Sequence, residues 1–230
     1  MGSPPIMNSL VIFDIDGTLV KWHSSTYAWE FLLDDSEVDT WNKKAKSLYN
    51  MGSLTYEHWH IELIQKMREF SITEQTLRVK MLKKLAADTP SVSLVSSVCN
   101  RFRSTAILSG SLTLALEVAN LEPASFDLVL AHKLGFDVNG YIDSWLVNTY
   151  GTDEGKVQGL HYISSKLQVP LAKIVYIGDG HNDRLVINEL NRTGGMGIAL
   201  PPLADSPQLL LHPHKRVDSF TNLLNTELIC

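Results

Sequence analysis

Three short apolar runs, each cut off by small or acidic polar residues, constrain this chain more than anything else in it. "LVIF" ends at Asp14, "TAIL" ends at Ser109, and "IVYI" ends at Gly178 and Asp179. Runs of this length, rich in β-branched and aromatic residues and without polar alternation, read as parallel strands buried in a sheet. Helical patterns follow them, among them Leu112–Asn120 and Val157–Leu167. Strands alternating with helices predict an α/β fold, a doubly wound parallel sheet with helices on both faces. Ligands in such sheets bind beyond the carboxyl ends of the strands, where the strand order reverses. All three polar clusters are expected to converge there.

The stretch from Lys21 to about residue 89 departs from this pattern. It carries no convincing strand and reads as several helices, with Gly52 at one boundary and an S-x-x-E capping box from Ser71 to Glu74 at another, ahead of Leu77, Met81 and Leu85 at helical spacing. The division expected is therefore 21–89 as a small helical unit and 1–20 with 90–230 as the α/β core. "KLGFDVNGYIDSW" alternates around Asn139-Gly140, a hairpin signal.

Composition narrows the function classes. With 230 residues, 44% hydrophobic and 20% charged, and a formal charge of −5, the chain has no basic excess to attract nucleic acid or an anionic membrane. Cys99 and Cys230 form no CxxC pair and suit a reducing compartment. The opening "MGSPPIM" lacks a signal-peptide pattern, and no run is long enough to span a bilayer. A cytoplasmic location is expected, with neither nucleic acid nor membrane as a partner.

Each strand-end cluster has a plain reading and a chemical one. Asp14 and Asp16 with Gly17 fit an Asx-type turn; they also fit a carboxylate pair that divides nucleophile and proton-transfer roles, with Thr18 offering a hydroxyl to an anion. "SGS" at 109–111 is either a helix N-cap or a place for an anion, Ser109 and Gly110 supplying hydroxyl and amide. Lys156 is a surface lysine or a positive charge for a phosphate. "GTDEGKV" around it is no Walker loop, because three residues separate its glycines and Val157 stands where Ser or Thr is needed. "GDGHND", with Asp179, Asn182 and Asp183, supplies the hard oxygen ligands that suit magnesium and lacks the third glycine of a dinucleotide site.

Taken together and in order, Asp14-x-Asp16-Gly17-Thr18, Ser109, Lys156 and Gly178-Asp179 with Asn182-Asp183 resemble the four motifs of the haloacid dehalogenase-like superfamily. "ILSGS" and "GDGHND" resemble its phosphoserine phosphatase branch. The resemblance implies a Rossmann-like core with an all-helical cap inserted after the first strand. It implies a small phosphorylated metabolite as substrate and magnesium as cofactor. It also implies an attacking Asp14, with Asp16 as acid and then base. Magnesium would be held by Asp14, the Asp16 carbonyl and Asp179, with Asn182 and Asp183 orienting that shell, and Thr18, Ser109, Gly110 and Lys156 would serve the phosphoryl group.

The chain departs from that branch in the helical segment. The Glu and Arg that pair the serine ammonium and carboxylate are replaced by His23 and Leu63, with Arg68 a turn further on. Four of the five tryptophans, Trp22, Trp29, Trp41 and Trp59, fall in the insert; they read as the core of a small helical unit with little else to bury. Phosphoserine is therefore expected to be a poor substrate. A phosphoserine phosphatase, a phosphotransferase or mutase sharing the aspartyl-phosphate, and a non-catalytic phosphate-binding protein are the alternatives. His58, His60, His212 and His214 are read as unrelated to metal.

Overall fold

A computed structural model describes residues 10–23, 27–33, 37–201 and 215–225. Cys230, His212, His214 and the first nine residues fall outside them. The first strand, β1 (Leu10–Phe13), is followed by four helices, α1 (Trp29–Leu32), α2 (Glu37–Asn50), α3 (Tyr56–Glu69) and α4 (Glu74–Lys84). Then come α5 (Val92–Cys99), β2 (Ser104–Leu112), α6 (Thr113–Val118), the hairpin β3 (Leu128–Phe136) and β4 (Ile142–Leu146), and α7 (Asp153–Leu167). β5 (Ile174–Gly178), α8 (Arg184–Thr193), β6 (Met196–Ala199) and β7 (Lys215–Arg216) complete the described chain.

The strands form one sheet in the order β4-β3-β2-β1-β5-β6-β7, parallel throughout except for the β3–β4 hairpin. The α/β expectation holds, and the turn at Asn139-Gly140 is the hairpin turn, with Gly140 at φ +81°. β1 lies at the centre, hydrogen-bonded to β2 on one side and β5 on the other. The sequence moves away from β1 in both directions, so the strand order reverses there and the crevice opens beyond Phe13.

Residues of β1 alternate between two apolar clusters, Leu10 and Ile12 on one face and Val11 and Phe13 on the other. That explains the unbroken hydrophobic run. One face packs against Leu160 and Ile163 of α7 and Val186, Ile187 and Leu190 of α8. The other continues from Val95, Val98 and Phe102 into Leu63, Ile64 and Met67 of α3 and Leu77 and Met81 of α4. The helices inserted after β1 thus share one core with a face of the sheet. Among the described residues no helix is long and apolar enough to cross a membrane.

Two local expectations are corrected. Thr73, not Ser71, caps α4, accepting from the Thr76 amide at 3.2 Å; Ser71 sits in the preceding turn at φ +53°. "SGS" caps no helix either. β2 runs on to Leu112, and its pairing with β3 shifts register between Leu108 and Leu112. Ser109, Gly110 and Ser111 therefore form a bulge, which re-aims side chains at a strand end.

Candidate active site

Asp14 is the first residue beyond β1. Its amide donates to the Ile177 carbonyl of β5 at 3.0 Å, and its Oδ1 accepts from the Ile15 amide at 2.8 Å. The chain then closes a tight turn in which Val20 and Leu19 donate to Ile15 and Gly17 donates to Val20. Gly17 is needed here: its φ is +74°, and a Cβ would lie 1.9 Å from Asp179 Oδ2. This turn brings Asp16 to the same side as Asp14, which an extended strand would not do.

The Asp16 carboxyl is gripped at both oxygens. The Trp22 indole donates to Oδ1 at 2.7 Å and the Ala28 amide donates to Oδ2 at 3.1 Å. Burial pushes its pKa up to about 6, against the pull of those two hydrogen bonds. A carboxyl in that range can both give and take a proton near neutrality.

Asp179 and Asp183 approach from the end of β5. Ligand oxygens of Asp14, Asp179 and Asp183 lie within 4.8 Å of one another, and all three residues are buried. Burial first, and then the charge of the neighbouring carboxylates, raises the pKa of Asp14 and of Asp179 above the ordinary range. Lys156, in the first turn of α7 and fully buried, stands 3.0 Å from Asp14 Oδ2 and 2.5 Å from Asp183 Oδ1. Burial works against its charge, but Asp14 and Asp183 outweigh it and hold the ammonium protonated. One ammonium among three crowded carboxylates leaves an excess of negative charge, and oxygen ligands at this spacing suit a hard divalent cation.

Asp14, Ser109, Lys156, Asp179 and Asp183 converge, and Asp16 lies near enough for the charge of Asp14 to act on it. The Ser109 hydroxyl sits against the Asp14 carboxylate and favours its charged form. Two expected residues are spent elsewhere. Thr18 Oγ1, fully buried, donates to Asp179 Oδ1 at 2.9 Å, so it orients that carboxylate instead of offering itself to an anion. Asn182 Nδ2 donates to the Gly151 carbonyl at 3.2 Å, tying the two loops together rather than the carboxylate cluster. Asp183 is bonded within the cluster: Oδ1 accepts from Lys156 and from the Tyr176 hydroxyl at 2.5 Å, and Oδ2 accepts from the Gly180 amide at 2.8 Å.

Several contributors were missed. Tyr176, read as one more apolar residue of "IVYI", buries a hydroxyl, and a buried tyrosine needs a partner. Asn148 donates to the carbonyls of Ser109, at 2.7 Å, and Leu130, at 3.1 Å, and so pins the bulge. Trp22 and Trp29 do more than fill space, since the Trp29 indole donates to the Gly110 carbonyl at 3.2 Å. From α3, Tyr56 reaches the same place: its hydroxyl meets His132 Nε2 at 3.0 Å and would lie 2.2 Å from a Cβ on Gly151. His60 stacks on His132 with ring centroids 4.5 Å apart and planes 10° apart. Burial lowers the pKa of both, His60 to about 4. An aromatic and neutral imidazole wall therefore closes over the phosphate-binding loop candidate.

The remaining positions weighed for a zwitterion do not present charge at this cluster. His23 is exposed, and Leu63 is buried in the shared core. Arg68 stacks 5.3 Å from the Trp145 ring and lines a separate cleft of about 450 Å³ with Gln65, Glu69, Ile72, Tyr141 and Ile142.

Solved structures resemble the fold at low identity. A HAD family hydrolase from Salmonella enterica subsp. enterica serovar Typhi aligns with a TM-score of 0.67 and 18% identity, over 98% of this chain and 73% of that one. A substrate-bound phosphoserine phosphatase complex gives 0.62 and 17%, over 94% and 97% of the two chains. A probable phosphoserine phosphatase from Vibrio cholerae gives 0.67 and 18%, over 94% and 62%. No curated protein matches the sequence. The family model of haloacid dehalogenase-like hydrolases matches residues 11–186, which hold every strand-end residue described above, and the chain belongs to that family.

Proposed function

We propose that the protein is a magnesium-dependent phosphomonoesterase acting on a small phosphorylated metabolite whose leaving alcohol is weakly charged or partly apolar. The observation that carries this reading is the meeting of Asp14, Asp179, Asp183 and Lys156 at the point where the strand order reverses. Asp14 is the nucleophile: its carboxylate attacks phosphorus and the bond to the leaving oxygen breaks. Asp16 delivers a proton to that oxygen and afterwards takes one from the water that cleaves the aspartyl-phosphate. Ser109 and Lys156 place positive charge and a donor beside the transferring oxygens, where charge spreads as the bond breaks.

Asp14, the Asp16 backbone carbonyl and Asp179 would hold the cation, with Asp183 keeping Lys156 in place beside them. Bound there, magnesium would offset the repulsion between Asp14 and a phosphate dianion. The excess negative charge of the three buried carboxylates supports this donor set.

The wall of Trp29, Tyr56, His60 and His132 supports the choice of leaving group. A zwitterionic serine would need two charged partners as it is desolvated, and unpaired buried charge is costly. Asp14→Asn tests the reading as a whole. Its folded thermal transition should be retained, and kcat for magnesium-dependent release of phosphate from p-nitrophenyl phosphate should fall by roughly 10⁵-fold, as expected for loss of a nucleophile. Substantial remaining turnover would sink the assignment. A panel of phosphorylated metabolites ranked by kcat/KM then settles the alcohol, and phosphoserine at its head would refute the leaving-group part.

A further inference from the structure

We propose that Trp22 is a positioning residue for the acid–base carboxyl of Asp16. The proposal rests on the reading of Asp16 given above and extends it to a residue outside the strand-end motifs. The indole N–H meets Oδ1 at 2.7 Å while the Ala28 amide meets Oδ2 at 3.1 Å. Two donors on opposite oxygens stop the carboxyl from rotating. Each oxygen retains a lone pair, so one of them can still carry and deliver the proton. An indole is a donor only. It orients the carboxyl without competing for the proton that Asp16 must transfer, as a hydroxyl or an imidazole would. Trp22 is 6% exposed, so its ring also keeps water from the oxygen it binds.

The indole is itself held from behind. Trp22 forms an antiparallel bridge with Leu85, flanked by the hydrogen bonds from the His23 amide to Lys84, at 2.6 Å, and from the Ala86 amide to Lys21, at 2.8 Å. The Thr89 hydroxyl accepts from the Lys21 amide at 3.2 Å. The chain leaving β1 for the helices and the chain returning from α4 are thus tied together at Trp22. The tie fixes the acid: the two segments that connect the helices to the sheet set where the Asp16 proton points.

The step in question is cleavage of the phosphorus–oxygen bond. Asp14 Oδ forms a bond to phosphorus, the leaving oxygen takes the electron pair of the bond that breaks, and protonated Asp16 gives that oxygen its proton and becomes a carboxylate. An alkoxide needs this proton and p-nitrophenolate does not. Trp22→Phe, which keeps a buried ring and removes the N–H, should therefore lower kcat/KM for benzyl phosphate by about 10–100-fold, a part of the roughly 10²–10⁴-fold that general acid catalysis contributes, while kcat/KM for p-nitrophenyl phosphate falls by about threefold or less. Because both constants come from one preparation, their ratio does not depend on how much of the variant is folded. Asp16→Asn should shift the ratio in the same direction, and adding Trp22→Phe to Asp16→Asn should shift it no further.

Equal losses on both esters, or an additional shift in the double variant, would overturn the positioning role. A ratio unchanged in Asp16→Asn would instead remove the acid–base reading itself. The two failures are thereby distinguished.

Discussion

The strand ends and the helical segment 29–84 bury polar groups in opposite ways. At the strand ends, Asp14, Asp179 and Asp183 are taken out of water together with Lys156, and each is tied to a partner from another element. In the helical segment, His60 goes into the interior uncharged, its Nδ1 on the Tyr56 carbonyl at 2.9 Å and its ring among Tyr56, Trp59, Trp29 and His132. The first arrangement keeps charge where a phosphate must be met. The second removes charge where, on the function proposed above, the leaving group would be seated. The difference teaches that the two halves of the site depend on different physics, ion pairing in one and desolvation in the other, and that they respond differently to mutation and to pH.

The sharpest way to break the comparison is to remove the buried cation. Lys156→Met leaves Asp14 and Asp183 without their ammonium, and losing one partner of a buried ion pair costs about 3–5 kcal/mol. Lys66→Met in α3 removes an ion pair to Glu69 at 2.5 Å that is open to solvent, with side chains 36% and 57% exposed, and should cost under about 0.5 kcal/mol. Chemical denaturation of the two variants checks this, and similar losses would show that the strand-end pair is no more coupled than a surface one.

Acid is the next probe. His60 titrates near 4 when folded and near 6.5 when unfolded, so its contribution is intact above pH 6.5. As pH falls from 6.5 to 4 the unfolded chain takes up a proton that the folded one refuses. The folded state then loses about 3 kcal/mol. His60→Phe should flatten that part of the stability–pH curve by the same amount, leaving the share of His132. An unaltered curve would mean that His60 is protonated within the fold.

The smallest effect is expected where the helical segment is pinned to the core from outside. Arg78 of α4 donates to Glu74, at 2.7 Å, and to Glu117 of α6. All three side chains are about a third exposed, so Arg78→Ala should cost only about 0.5–1 kcal/mol and leave phosphatase activity nearly unchanged. A marked drop in turnover would show that this outer clamp, and not only the tie at Trp22, sets the position of the helices over the strand ends.

Much of the core was legible because its signals are local. A run such as "LVIF" must be a two-sided buried strand wherever it lies, and Gly17 and Asp179 are adjacent to the strands that place them. The helical segment was legible only as helices. Tryptophans at 22 and 29 read as filling, since nothing local marks an indole as a donor, and nothing local pairs His60 with His132, 72 positions later in the chain. The bulge at Ser109 depends on the partner strand, and the hydrogen bonds of Thr18 and Asn182 are not legible locally because their partners, Asp179 and Gly151, lie far along the sequence.

The sequence by itself determined the strand ends: which runs are buried, which residues terminate them, and therefore which carboxylates stand at the crevice, whereas Lys156, in a helix, was tied to them only by the family resemblance. Hydrophobic periodicity and turn chemistry suffice for that, since both act over a few residues. Only the tertiary structure decided what each polar atom is bonded to. A hydrogen bond needs a partner within about 3 Å in a set direction, and the partners of Asp16, Lys156, Thr18 and His60 are fixed by packing between elements whose relation no short stretch of sequence contains.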